Sequence, residues 1–274
     1  MLNHLLCLVI IAAILVASVT HAGSVDVEAQ KLAYSLSLDK AVVVILYKDQ
    51  YGTGWFVDKN YVVTAAHVVD YREGARVEVI HGAYRCEGVA LHVDRAHDVA
   101  VIRVSKPWPE AKILPVATSV SKGMQIMVIG YPFELYQLIG NIEAMSNNPR
   151  ASFGHVNWVD PAKDIFEIGA RTDAGNSGGP IIEMSEDAVV GIVSFALHGE
   201  VATLYYGTAC DAIVKDLSAW NIPFHAVKVE QAAPTPAGMN YRPSHASVIT
   251  AVAGGAVALV LGVLIGIGVR RGRK

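Results

Sequence analysis

The chain has 274 residues, with 22 basic and 25 acidic side chains and a formal net charge of −3 at pH 7. That balance offers no positive field to a phosphate backbone, so nucleic acid is excluded as an electrostatically recruited partner. Hydrophobic residues make up 53% of the chain, inflated by two terminal apolar runs, and the remainder suits a single compact unit.

From the N-terminus, Leu5 to Ala17 is an unbroken apolar run, followed by small residues at Thr20-His21-Ala22. This predicts a signal peptide over residues 1–22, cleaved after Ala22. Met1 to His4 carries no Lys or Arg, which leaves an uncleaved N-terminal anchor as the alternative. Cys7 falls in this segment, so only Cys86 and Cys210 belong to the body. An oxidising compartment allows them a disulfide, and two free thiols fit the spacing equally well.

Residues 23–225 read as one domain of short β-branched runs separated by turn residues, the pattern of an all-β protein. Apart from a possible short turn near Val27 to Ser37, the first half predicts strands over Ala41 to Tyr47, Thr53 to Val57, Tyr61 to Thr64, Arg76 to Ile80, Tyr84 to Val93 and Val99 to Val104. These suffice for one antiparallel β-barrel, about 41–105. Lys106 to Thr118, with Pro107, Pro109 and Pro115, reads as a crossing linker. A second barrel, about 119–210, is predicted from Gln125 to Ile129, Gln137 to Ile142, Ser152 to Trp158, Ile165 to Ala170, Pro180 to Glu183, Val189 to Ala196 and Ala202 to Thr208. Asp211 to Trp220 is the one segment of clear helical period, with Asp211 as its expected N-cap.

Residues 226–246, with Pro234, Pro236, Pro243 and Gly238, predict a semi-extended tether. Ser247 to Val269 then runs without a charge, long enough at about 1.5 Å per residue to cross a hydrocarbon core of roughly 30 Å. Arg270, Arg271, Arg273 and Lys274 follow, so residues 247–269 are expected to span a plasma membrane as a type I helix, with the body outside and residues 270–274 in the cytoplasm. Gly254, Ala258, Gly262 and Gly266 recur every four residues and suggest self-association of that helix.

Acyl transfer to a serine needs a nucleophile, a base, a group that fixes the base's tautomer and donors for the developing oxyanion. Gly175-Asn176-Ser177-Gly178-Gly179-Pro180 places a serine in a glycine-rich turn whose backbone can aim amides at one point. Thr64-Ala65-Ala66-His67 sets a histidine among small residues after a buried strand. Asp94-Arg95-Ala96-His97-Asp98 puts two carboxylates ahead of an apolar strand, and the local pattern does not choose firmly between them; His97 reads as a solvated neighbour.

These motifs, with Gly52-Thr53-Gly54-Trp55-Phe56-Val57, Ile129-Gly130-Tyr131-Pro132-Phe133, Arg171-Thr172-Asp173-Ala174 and Val190-Gly191-Ile192, occur in an order and spacing that resembles the trypsin-like serine proteases, most of all the HtrA/Deg branch. The resemblance runs from about Ala41 to Leu217. It implies two six-stranded barrels and a serine endopeptidase acting on polypeptides with neither cofactor nor metal. It also implies His67 as general base, Asp98 as its orienting carboxylate, Ser177 as nucleophile and the amides of Gly175 and Ser177 as the oxyanion hole. No PDZ domain is expected in the short stretch after Leu217. The loop between Asp173 and Gly175 is shorter than usual in that branch, and Asn176 stands where many digestive relatives carry an aspartate that pairs with a new N-terminus. Since a neutral imidazole must accept the serine proton, activity is expected to be lost on acidification. The competing reading is a catalytically silent barrel that binds or scaffolds polypeptides.

Overall fold

The computed structural model describes residues 27–199 and 203–229. The expected signal peptide, most of the tether and the membrane run at 247–269 lie outside them. Among the described residues no helix is long and apolar enough to cross a membrane.

After an opening helix α1 at 27–38, longer than the short turn expected there, come β1 (Val42–Tyr47), β2 (Gln50–Asp58), β3 (Tyr61–Ala65), β4 (Arg76–His81), β5 (Tyr84–Asp94) and β6 (Val99–Val104). They close into a barrel in the order β1-β2-β3-β6-β5-β4. β-Branched residues are frequent in these strands because they fit the pleat, and both faces of the wall are covered: Val44, Ile80, Val101 and Ile102 are almost wholly buried. Trp55 and Phe56 are the largest of this set; burying such a side chain is worth about 1.5–3 kcal/mol.

The crossing segment contributes β7 (Val116–Ala117), and the second half supplies β8 (Gln125–Gly130), β9 (Arg150–Asp160), β10 (Ile165–Ile168), β11 (Pro180–Glu183), β12 (Ala188–His198) and β13 (Thr203–Ala209). Neighbours run β11-β8-β9-β10-β13-β12, and antiparallel pairing of β11 with β12 closes this second barrel. Beyond it, β14 (Ala226–Val227), at the start of the expected tether, pairs in parallel with β7, which pairs in parallel with β12.

Two expectations need correction. The predicted strand Gln137 to Ile142 is replaced by two short helices, α2 (Phe133–Ile139) and α3 (Ile142–Ser146). Gly140 ends the first at φ 69°, and the Asn141 side chain caps the second by accepting from Ala144 N–H. The last helix, α4 (Cys210–Ala219), begins one residue early, with Ala209 at the N-cap; Asp211 instead lies in its first turn, where a carboxylate favours the helix dipole. Cys86 and Cys210 are both free thiols, one half-buried on β5 and the other buried at the head of α4.

Tyr131 knits the halves together. Its hydroxyl, fully buried, donates toward Val42 O of β1 at 3.1 Å and Ser146 O of α3 at 3.0 Å, and lies 3.2 Å from His81 Nδ1 at the end of β4.

Candidate active site

β3 ends at Ala65, and a single turn of 3₁₀-helix over Ala66–Val69 carries His67 to the barrel rim. β6 begins at Val99, so Asp98 sits on the loop that feeds it. The two loops are joined: Ala66 N–H donates to Asp98 O at 3.0 Å and His67 N–H to Asp98 Oδ1 at 2.9 Å. His67 Nδ1 lies 2.8 Å from Asp98 Oδ2, which also accepts from Ser194 Oγ at 2.6 Å. An Nδ1–H given to this carboxylate leaves Nε2 as a proton acceptor, the tautomer a general base requires. Of the two carboxylates the local pattern left open, the structure puts Asp98 against His67.

Ser177 lies on the loop between β10 and β11, half-buried, at the face where the barrels meet. Its carbonyl accepts from Thr53 N–H at 2.8 Å, and Thr53 Oγ1 donates to Gly175 O at 2.8 Å, so one residue of β2 holds both ends of the turn. Gly178 N–H donates to Val193 O at 2.7 Å, and Thr64 Oγ1 donates to Thr53 O at 2.7 Å. Gly178 has φ 80°, and a Cβ there would stand 2.2 Å from Thr64 Oγ1 and 2.5 Å from Ala65 N, so only glycine fits. Among the described residues, the amides of Gly175 and Ser177 take no acceptor and no hydrogen bond joins Ser177 to His67.

An open depression of about 460 Å³ lies at the His67–Asp98 pair, lined also by Ile165, Ser194, Phe195 and Thr208. The Phe195 ring stacks on Tyr206 at 5.0 Å, and Phe195, Leu197 and Leu204 are exposed on the β12–β13 hairpin. A second cavity, of about 270 Å³, is bounded by Leu135, Leu138, Arg150, Arg171, Asp173 and, next to Ser177, Asn176. Tyr51 packs against Gly175, and burial, then Glu134, push its hydroxyl up to about 12.

Sequence reasoning missed Ser194 and misread His97. Ser194 is 7% exposed, and a lone hydroxyl inside the apolar run of β12 is the signal that could have found it. His97 is partly buried, with Nδ1 2.5 Å from Asp94 Oδ2 and Nε2 3.4 Å from Asp164 Oδ2. Asp94, His97 and Asp216 bring ligand-type atoms within 4.8 Å of one another, but both ring nitrogens of His97 already face carboxylates, those of Asp94 and Asp164. Burial first, then the nearby Asp94, push the Asp216 carboxyl up to about 7. A carboxyl raised on folding stabilises the fold while it is protonated, and that contribution is lost as pH climbs from the unfolded value toward 7. Asp216→Asn is therefore expected to match the parent Tm near pH 4 and to exceed it by about 2–4 °C near pH 8, the half-exposed position limiting the gain to roughly 1 kcal/mol. Thermal melts at the two pH values check it; a constant offset would contradict the assignment.

A family model described as the trypsin-like peptidase domain matches residues 52–192, about half of the chain and the stretch that carries His67, Asp98 and Ser177. The chain belongs to this family. Among curated proteins, this trypsin-like peptidase domain is similar to the "Serine protease HtrA-like" of Staphylococcus aureus (strain USA300), 28% identical over 170 residues that make up 58% of this chain. Only 21% of that protein is covered, so the chain matches about a fifth of the relative's length. Two solved structures share the fold with a TM-score of 0.54: the active form of the Rv3671c protease from M. tuberculosis, 24% identical and covering 68% of this chain and 82% of that one, and the serine endoprotease from Yersinia pestis, 18% identical over 68% and 64%.

Proposed function

We propose that this chain is a serine endopeptidase of the HtrA type that cleaves polypeptides through Ser177, His67 and Asp98. In this reading His67 Nε2 removes the Ser177 Oγ proton as Oγ attacks the scissile carbonyl. Asp98 holds the imidazole tautomer, and the amides of Gly175 and Ser177 receive the oxyanion. His67 then returns the proton to the leaving amine, and water enters by the same route to release the acyl group.

One observation carries the reading: Asp98 accepts from His67 N–H, stands 2.8 Å from its Nδ1 and is held by Ser194, while the serine turn is pinned to β2 beside it. Such an arrangement leaves one basic nitrogen facing outward at the rim. The ectodomain works outside the cell, tethered by residues 226–246 to a membrane helix at 247–269 whose small-residue stripe favours self-association. Support for the anchor comes from the apolar run and the basic residues after it.

Labelling with a fluorophosphonate and hydrolysis of an unfolded protein substrate test the catalytic part. Wild type is expected to be labelled and active, and Ser177→Ala to lose the label and about 10⁶-fold in kcat. A wild-type chain that is never labelled yet binds unfolded polypeptide would favour the silent binding protein instead.

A further inference from the structure

We propose that His97 is a positioning residue: held between Asp94 and Asp164, it clamps the backbone that presents Asp98 to His67. The inference rests on the catalytic reading above.

Asp98 has φ 57°, a left-handed conformation uncommon for a residue with a Cβ, though Asp tolerates it better than most. The His97 cluster holds the turn that leads into it. Asp94 Oδ1 accepts from Ala96 N–H at 2.7 Å and His97 N–H at 3.3 Å, closing the turn that leads to Asp98. Asp94 Oδ2 takes His97 Nδ1 at 2.5 Å, while His97 O accepts from Thr208 Oγ1 at 2.5 Å. The peptide entering Asp98 is thus gripped at side chain and carbonyl, one residue from the catalytic pair.

The grip also crosses between the barrels. Asp94 ends β5 and His97 lies on the β5–β6 loop of the first barrel, whereas Asp164 precedes β10, Thr208 lies on β13 and Asp216 on α4. Asp164 Oδ2 lies 3.4 Å from His97 Nε2, and Ala209 N–H donates to Asp164 O at 2.7 Å, tying that loop to the strand bearing Thr208. His97 bonds Asp94 through Nδ1 and brings Nε2 within ion-pair range of Asp164 Oδ2, and with the Thr208 bond to its carbonyl it joins the barrel that holds His67 and Asp98 to the barrel that holds Ser177 and Ser194. Asp216 brings a buried oxygen with no partner to the back of the cluster, with Lys215 as its charged neighbour along α4. Arg95 points elsewhere, donating to Tyr71 O.

A clamp of this kind acts on turnover through Asp98, whereas a general structural role would act whatever residue 98 is. A double-mutant cycle on the full chain separates them. His97→Ala is expected to lower kcat about a hundredfold, as a shift near 1 Å does at a reacting pair, with KM within about twofold. In the Asp98→Asn background the same change is expected to alter kcat by less than about twofold. Asp164→Asn keeps a residue that tolerates the left-handed backbone at 164 (φ 52°) and is expected to lower kcat by a smaller factor, supplying the readout if His97→Ala fails to fold.

Equal losses in both backgrounds, or a His97→Ala enzyme with wild-type kcat, would overturn the clamp while fluorophosphonate labelling of wild type left the catalytic reading intact. Absence of label on the folded wild type would remove both.

Discussion

Asp98→Asn is expected to lower kcat about ten-thousandfold with little change in KM. The carboxylate accepts from His67 N–H and Ser194 Oγ and faces His67 Nδ1, so all its oxygen capacity at this point is committed to acceptance. An amide cannot accept on both sides. Holding its oxygen toward His67 N–H turns its NH₂ toward Nδ1, which selects the tautomer with the proton on Nε2 and removes the base. Folding should survive, because the residue change is isosteric and Asn tolerates the left-handed backbone. Circular dichroism and a fluorogenic peptide assay check the pair of claims; a fall in kcat below about tenfold would mean that His67 is not oriented through Asp98.

The second large effect is on the fold itself. Gly178→Ala is expected to cost at least about 3–4 kcal/mol, or to prevent folding, because the new methyl group would meet Thr64 Oγ1 at 2.2 Å, Ala65 N at 2.5 Å and Thr53 O at 2.5 Å, at φ 80°. Two of these neighbours are backbone atoms of β2 and β3 that hold the first barrel together, so they cannot swing aside as a long side chain would. Denaturant titration measures the loss. At Gly123, which also has positive φ (88°) but nothing within 4 Å of an added Cβ, the same substitution should cost only the backbone strain, about 1 kcal/mol. Equal costs at the two positions would show that φ alone, not the close approach of the barrels, governs Gly178.

Much of this architecture was legible from the chain. Strands such as Val42–Tyr47 and Val99–Val104 are rich in β-branched residues, and turns between strands are marked by Gly, Asp and Asn, so local chemistry and fold agree. Gln137 to Ile142 was misread because its short apolar run fits either a strand or a helix; the deciding features are the punctuation by Gly140 and the cap by Asn141, which act over single turns. The choice between Asp94 and Asp98 was undetermined locally, since both precede the same apolar strand, and it depends on which carboxylate meets a histidine from another loop. His97 looked solvated for the same reason: Asp164 and Asp216, its partners across the barrel joint, are remote in the chain. Ser194 carried a readable sign, a polar residue within a buried run, whereas its bond to Asp98 exists only in three dimensions.

The parallel pairing of β14 with β7 bears on mechanics. Val116 N–H donates to His225 O at 2.8 Å and Thr118 N–H to Val227 O at 2.9 Å, and β7 in turn lies beside β12 through Val116 and Val189. A pull along the strand axis applied beyond residue 229 loads these two bonds together, in shear, rather than peeling them one after the other. The force is delivered at Val189 to β12, a wall strand of the second barrel, five residues from the Ser194 that steadies Asp98.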